Sequence, residues 1–292
     1  MPEQAPATGH VPGAGRESFG SRLGAAMAAR GPLCVGIDPH PALLKGWGLE
    51  DDVDGLRRFS LTALEAVASL AAAVKPQVAL YERHGSAGMA VLEEVLATAR
   101  DESVLTIADA KRGDIGSTMA AYADAWLGDE SPLAADSVTL SPYLGFESLR
   151  PALDLAAETG RGVFVLALTS NPEGASVQHV GGNDSVARRI AAAAAAENSR
   201  YAGSLGSVGL VVGATVGSAL MDLGLDLAAL RGPILAPGLG AQGATPADLR
   251  ATFGRAYPFV LGTSSRDILA AGPDIRGLRE AALGTLDGLR GQ

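Results

Sequence analysis

Short apolar runs alternate along the chain with longer amphipathic ones. The β-type runs are LCVGID (33–38), AAVKP (72–76), VLTIADAK (104–111), SVTLSP (137–142), GVFVLALTS (162–170), VGLVVGAT (208–215), PILAPG (233–238) and PFVLGTS (258–264). Helix-type stretches lie between them, among them LRRFSLTALEAVASL (56–70), MAVLEEVLATAR (89–100), MAAYADAWL (119–127) and DSVARRIAAAAAAENSRYA (184–202), the last built on strong helix formers. Eight strands, each followed by a helical pattern, predict parallel pairing through right-handed crossovers. A length of 292 residues suits a single-domain α/β protein of the (β/α)8 TIM-barrel type. An open doubly wound sheet is the alternative, but no GxGxxG stands at the first strand-to-helix turn, where a dinucleotide fold carries it. Residues 1–17, rich in Pro, Gly and Ala without periodicity, read as a flexible tail, and 18–292 as the barrel.

In such a barrel the site is built from the C-terminal ends of the strands. The first run ends on Asp38, the second on Lys75, the third on Asp109 and Lys111. The fifth ends on Thr169 and Ser170, the seventh in PGLGAQG (237–243), and the eighth in GTSSR (262–266). Side chains two apart on a strand share a face, so Asp109 and Lys111 project the same way. A carboxylate beside an ammonium keeps both charged in a desolvated cavity, and Lys75 from the adjacent strand extends the alternation of sign. Asp114 has two readings, a functional one and an N-cap for the next helix together with Ser117 and Thr118. The glycines of PGLGAQG, with Pro237, Gly238 and Gly240, let a backbone approach a ligand closely. Loops after strands seven and eight often hold a phosphate, and Arg266 would add a bidentate cation there.

Composition narrows the function. With 47% hydrophobic residues the chain can bury a large core. A formal charge of −9 argues against nucleic acid as a partner, since a nucleic-acid binder needs a basic surface. No uninterrupted apolar stretch is of membrane-spanning length, and MPEQAPATGH lacks the basic start and apolar centre of a secretory signal, so the expectation is a cytoplasmic protein with no membrane partner. Cys34 is the only cysteine, and His10, His40, His84 and His179 show no ligand spacing, so no disulfide and no Cys/His metal site is expected. Twenty arginines accompany only three lysines, Lys45, Lys75 and Lys111. Lysine kept at two strand ends in an arginine-rich chain suggests that those sites need an ammonium.

These residues resemble a known family. GIDP (36–39), VKPQ (74–77), DAKRGDIGST (109–118), SPYLG (141–145), TSNPEG (169–174), VGAT (212–215), PGLGAQG (237–243) and SSRDIL (264–269) are similar to the motifs of the orotidine 5′-phosphate decarboxylases, in the longer-loop form found in mycobacteria and other bacteria. The resemblance runs from about Phe19 to about Leu289. It implies decarboxylation of orotidine 5′-phosphate to UMP with neither metal nor organic cofactor. It makes Lys111 the proton donor to C6 and sets Asp109 against the departing carboxylate. Lys75 would complete the charged network and contact the ribose, and Asp38 would bind a ribose hydroxyl. Asp114, with Thr118 nearby, would reach a partner's ribose in a homodimer with shared sites. Thr169 or Ser170 would meet the pyrimidine, and Gln242 and Arg266 the phosphate. In the shorter relatives the phosphate arginine directly follows the strand-eight glycine, whereas Arg266 comes four residues after Gly262.

Two rivals differ in kind. Magnesium-dependent sugar-phosphate decarboxylases or aldolases of the same superfamily share D-x-K-x-x-D, but carry an acidic residue where Lys75 stands. A catalytically silent nucleotide-binding barrel would be expected to have lost the lysine or the aspartates, all of which are present.

Overall fold

The computed structural model describes residues 16–201, 203–240 and 243–291. All but the last two residues of the expected tail, together with Gln242, therefore lie outside the described residues. Eight strands form a closed parallel barrel in sequence order: β1 (Leu33–Ile37), β2 (Ala73–Pro76), β3 (Leu105–Arg112), β4 (Ser137–Leu140), β5 (Gly162–Leu168), β6 (Val208–Val212), β7 (Ile234–Pro237) and β8 (Val260–Ser264). Closure is direct, with β1 pairing β8 through Leu33 to Gly262 and Val35 to Ser264. Each strand coincides with one of the apolar runs, because a parallel strand covered on both faces must be apolar nearly throughout.

The helices follow from caps and amphipathic stripes. Asp52 caps Val53–Val67 by accepting from Gly55 N, and Asp274 caps Ile275–Arg290 by accepting from Gly277 N. Thr245 and Asp248 form a reciprocal capping box that starts Pro246–Phe253. Residues such as Leu56, Phe59, Leu64, Leu278 and Leu286 turn inward to form the outer core between helices and strands.

A second core fills the barrel itself. Cys34, Ile107, Phe164, Val211, Leu235 and Leu261 pack inside it, and the helix Phe19–Arg30 closes its N-terminal end with Phe19 and Leu23. The Phe19 ring meets Phe164 edge-on, at 5.9 Å between centroids and 87° between planes. Gly162 makes this fit possible: a Cβ there would overlap the Phe19 ring. The bottom of the barrel is therefore plugged, and the open mouth lies at the opposite, C-terminal end. Among the described residues no helix is long and apolar enough to cross a membrane.

Candidate active site

A cavity of about 490 Å³ opens at the mouth. Its charged wall comes from the first strands: Asp38 after β1, Lys75 and Gln77 from β2 and its end, Asp109 and Lys111 from β3, and Thr139 from β4. Leu166, Val211 and Leu235 of β5 to β7 form the apolar wall opposite. The remaining wall and rim belong to His40, to Thr169, to Pro237, Gly238 and Leu239, and to Thr263, Ser265 and Arg266 at the end of β8 and after it.

Asp109 is the centre of the charged wall. Lys75 Nζ donates to Oδ2 at 2.8 Å and Gln77 Nε2 to the same oxygen at 3.0 Å. Lys111 Nζ donates to Oδ1 at 2.6 Å, and Thr139 Oγ1 donates there at 3.0 Å. Burial alone would push the carboxyl upward, but Lys75 and then Lys111 outweigh it and hold Asp109 well below the usual carboxylate range. Burial would likewise depress Lys75, yet Asp109 and Asp38 overcome it, so Lys75 rises above the ordinary lysine range. The two lysines differ in access: the Lys75 side chain is 7% exposed and that of Lys111 47%. Lys75 is a fixed charge, whereas Lys111 presents its ammonium to whatever fills the mouth.

The backbone of β3 is irregular at this point. Its pairing with β4 runs Ile107 to Ser137 and Ala108 to Val138, then jumps to Arg112 with Leu140. Lys111 has φ +48°, in the left-handed region that a long side chain rarely adopts. Simple alternation along a strand therefore gives only part of the reason why Asp109 and Lys111 meet; a bulge aims the second lysine. Such a conformation costs roughly 1–3 kcal/mol and persists where surrounding contacts impose it.

Asp38 accepts from Ser265 Oγ at Oδ2, while its Oδ1 is buried with no partner among the described residues. A buried carboxylate oxygen without a donor is poised for a ligand hydroxyl. Thr169 lines the cavity and Ser170 does not. The Thr169 hydroxyl donates to Asn171 Oδ1 at 2.6 Å and accepts from Gln178 Nε2 at 2.8 Å, while Gln178 Oε1 accepts from Thr169 N at 2.8 Å. Gly238 (φ +117°) and Gly240 (φ +78°) give the tight turn after β7. Gly240 lies behind the cavity against Asp267, where a Cβ would overlap the carboxylate. Arg266 lines the cavity at the head of a short helix and has no ion pair among the described residues.

Asp114 and Thr118 are not part of the cavity wall of the single chain. Asp114 Oδ1 accepts from Ile115 N, and the N-cap of the helix Gly116–Leu127 is Ile115, so Asp114 is not the cap. Asp114 is half-buried and Thr118 exposed, and exposed apolar side chains stand next to Asp114 in the chain (Ile115, 61% accessible) and in the loop after β4 (Tyr143, 80%, and Leu144, 54%).

Sequence reasoning assigned no role at the site to Gln77, Thr139, His40, Thr263 or Ser265, all on the cavity wall, although VKPQ and GTSSR contain three of them. Gln77 was within reach of the same-face rule, two residues after Lys75. Thr139 carried only the faint signal of a hydroxyl inside an apolar run.

Residues 31–279 match the orotidine 5′-phosphate decarboxylase / HUMPS family. A Salinispora arenicola protein named orotidine 5′-phosphate decarboxylase is 58% identical over 268 residues, 91% of this chain and 95% of the relative. One of the same name from Streptomyces coelicolor is 57% identical over 269 residues, with the same shares covered. A solved structure from Streptomyces avermitilis superposes with a TM-score of 0.91 at 55% identity, covering 97% of this chain and 98% of that one. The Leishmania donovani OMP decarboxylase gives 0.74 at 30% identity, covering 94% and 98%.

Proposed function

The chain belongs to the orotidine 5′-phosphate decarboxylase / HUMPS family, and we propose that it performs its decarboxylation directly, with no metal or organic cofactor, on a carbanion that Lys111 protonates. The enzyme is a carboxy-lyase that converts orotidine 5′-phosphate to uridine 5′-phosphate and carbon dioxide, in UMP biosynthesis.

The observation that carries the mechanistic reading is the pair of ammonium groups on the one buried carboxylate of Asp109. Cleavage of the bond from C6 to the carboxylate releases carbon dioxide and leaves the electron pair on C6, in the ring plane. The site must stabilise charge that appears only in the transition state. The ammonium of Lys111 meets that charge, then transfers a proton to C6, giving UMP and a neutral amine that solvent reprotonates. Asp109 holds the ammonium in place and faces the departing carboxylate. Lys75 keeps Asp109 ionised, which leaves the triad with a net charge of +1 toward an anionic substrate. Asp38 takes a ribose hydroxyl on its unpartnered oxygen, Thr169 or Ser170 meets the pyrimidine, and Arg266 with Pro237 and Gly238 surrounds the phosphate, Gly240 shaping the turn behind them and Gln242 lying outside the described residues. Phosphate binding remote from C6 supplies energy that can be used to order the mouth and exclude water.

The donor set favours this over the magnesium-dependent reading. Each Asp109 oxygen already receives two donors, and Lys75 stands where those relatives need an acid. Asp114 and Thr118, off the cavity of one chain, with exposed Ile115 next to Asp114 and exposed Tyr143 and Leu144 in the loop after β4, fit a two-fold dimer in which Asp114 completes the partner's site. A cytoplasmic location belongs to the same proposal, with the lone thiol of Cys34 free and buried.

The test is the ultraviolet change of orotidine 5′-phosphate mixed with the protein in chelator, beside Lys111→Ala. Loss of the orotate band with wild type alone supports the proposal. Turnover that needs magnesium, or that survives in Lys111→Ala, overturns it.

A further inference from the structure

Thr139 sits on β4 opposite the most distorted stretch of the barrel. Between the pairs Ala108 with Val138 and Arg112 with Leu140, three residues of β3 face this one residue of β4. Those three include Asp109 and Lys111. The side chain of Thr139 supplies what the neighbouring main chain no longer gives. Its Oγ1 accepts from the backbone N–H of Lys111 at 2.9 Å and donates to Asp109 Oδ1 at 3.0 Å. The polarity is fixed at both ends, because a main-chain N–H only donates and a carboxylate only accepts. The residue is 1% exposed, so water cannot substitute for either contact without a rearrangement.

We infer that Thr139 is a positioning residue for the decarboxylation: its hydroxyl holds the β3 bulge and the left-handed backbone of Lys111, and so sets where the ammonium of that lysine stands. Without the hydroxyl, the buried N–H of Lys111 loses its acceptor and Asp109 loses one of four donors. The left-handed conformation then has one restraint fewer, and Lys111 relaxes toward regular strand geometry with its Nζ displaced from the reacting carbon. A displacement of about 1 Å in such a group can cost on the order of a hundredfold in rate. Nucleotide binding, which depends on Asp38, Arg266 and the β7 loop, is left in place. The inference rests on Lys111 being the proton donor.

The experiment compares Thr139→Val, which keeps the shape and removes the hydroxyl, with Thr139→Ser, which keeps the hydroxyl. Expected for Thr139→Val is a fall in kcat of about 10- to 100-fold, with KM and the Kd for UMP within about threefold of wild type. Thr139→Ser is expected to stay within about threefold in kcat. Hydrogen exchange over residues 105–112 should speed up in the valine variant only. The inference is overturned if Thr139→Val keeps kcat within about twofold, if both variants fall together, or if the loss is in KM alone. Should the valine variant prove insoluble, Thr139→Ala is read by the same split. Lys111→Ala run alongside separates the two layers. If it turns over, the proton-donor reading falls and this inference with it; if it is inactive while Thr139→Val keeps kcat, only the inference falls.

Discussion

The hydroxyl of Ser265 donates to Oδ2 of Asp38 at 2.6 Å, tying the loop after the last strand to the end of the first. The contact crosses the seam where β1 meets β8 and fixes one carboxylate oxygen, while the other stays buried and unpartnered among the described residues. Asp38→Ala is therefore expected to weaken UMP binding by about ten- to a hundredfold, the worth of a hydrogen bond to a charged group. Ser265→Ala, which frees the carboxylate without deleting it, should cost less than tenfold, mainly in KM. Calorimetric titration with UMP reads both. Equal binding by Asp38→Ala and wild type would remove Asp38 from the ribose site.

Lys111→Ala should abolish measurable turnover and change UMP affinity by less than about tenfold, because the ammonium is needed chiefly in the transition state. Lys75→Ala should act differently. It leaves Asp109 buried with a donor missing, so the variant should lose stability as well as activity, by about 3–5 kcal/mol in urea unfolding.

Mixing Asp114→Ala with Lys111→Ala tests the shared site. Each homodimer lacks an essential group in both sites, whereas a hybrid dimer has one intact site. Random reassortment should restore about a quarter of wild-type activity. No recovery, with hybrids demonstrated by native mass spectrometry, would place Asp114 outside the partner's site.

The buried protons make the fold labile at high pH. Burial pushes the Cys34 thiol from its ordinary 9.0 up to about 12 and raises the Tyr81 phenol, while Asp109 and Asp38 overcome burial and raise Lys75. A group raised in the folded state contributes stability that is complete below its unfolded value and is lost as pH rises through the folded one. The unfolded chain releases these protons from about pH 9 upward while the folded chain keeps them. Stability should fall on the order of 1 kcal/mol per pH unit for each proton, the slope approaching three protons near pH 11. Urea unfolding between pH 8 and 11 measures that slope, and Cys34→Ala should reduce it by one proton. Asp109 has the opposite sign: its stabilisation is present above the ordinary aspartate range and is lost as pH falls below it.

Phe19→Ala removes the ring that plugs the barrel against Phe164 and should cost about 3–5 kcal/mol. The loss should appear as a lower Tm, with kcat of the surviving folded protein unchanged, since the plug and the mouth lie at opposite ends.

The eight strands were legible because burial on both faces leaves apolar runs that no other element of that length explains. Lys75, Asp109, Lys111 and Asp38 were legible because a charged residue that closes such a run reaches solvent or a ligand at the mouth, whereas a hydroxyl such as Ser170 can also turn away from it. The part played by Thr139 was not. Its hydroxyl matters because β3 bulges, and the bulge depends on cross-strand register that no local pattern reports. Gln77 shows the intermediate case, visible by spacing yet without a stated partner until Asp109 is placed beside it. The long segment after β5, Asn171 to Asp184, left the choice between Thr169 and Ser170 open for a further reason. Its clamp of Gln178 on Thr169 joins residues nine apart through an irregular loop that has no period to detect.

The plugged end has a practical side. Arg16 is anchored beside Asp129 and the carbonyl of Thr159, at the face opposite the mouth. A tether attached at this face, for instance through a cysteine in place of the exposed Glu130, therefore leaves from the back of the barrel. An enzyme immobilised or fused through that end holds its opening toward the medium, so substrate exchange should survive coupling to a bead, a surface or a second protein.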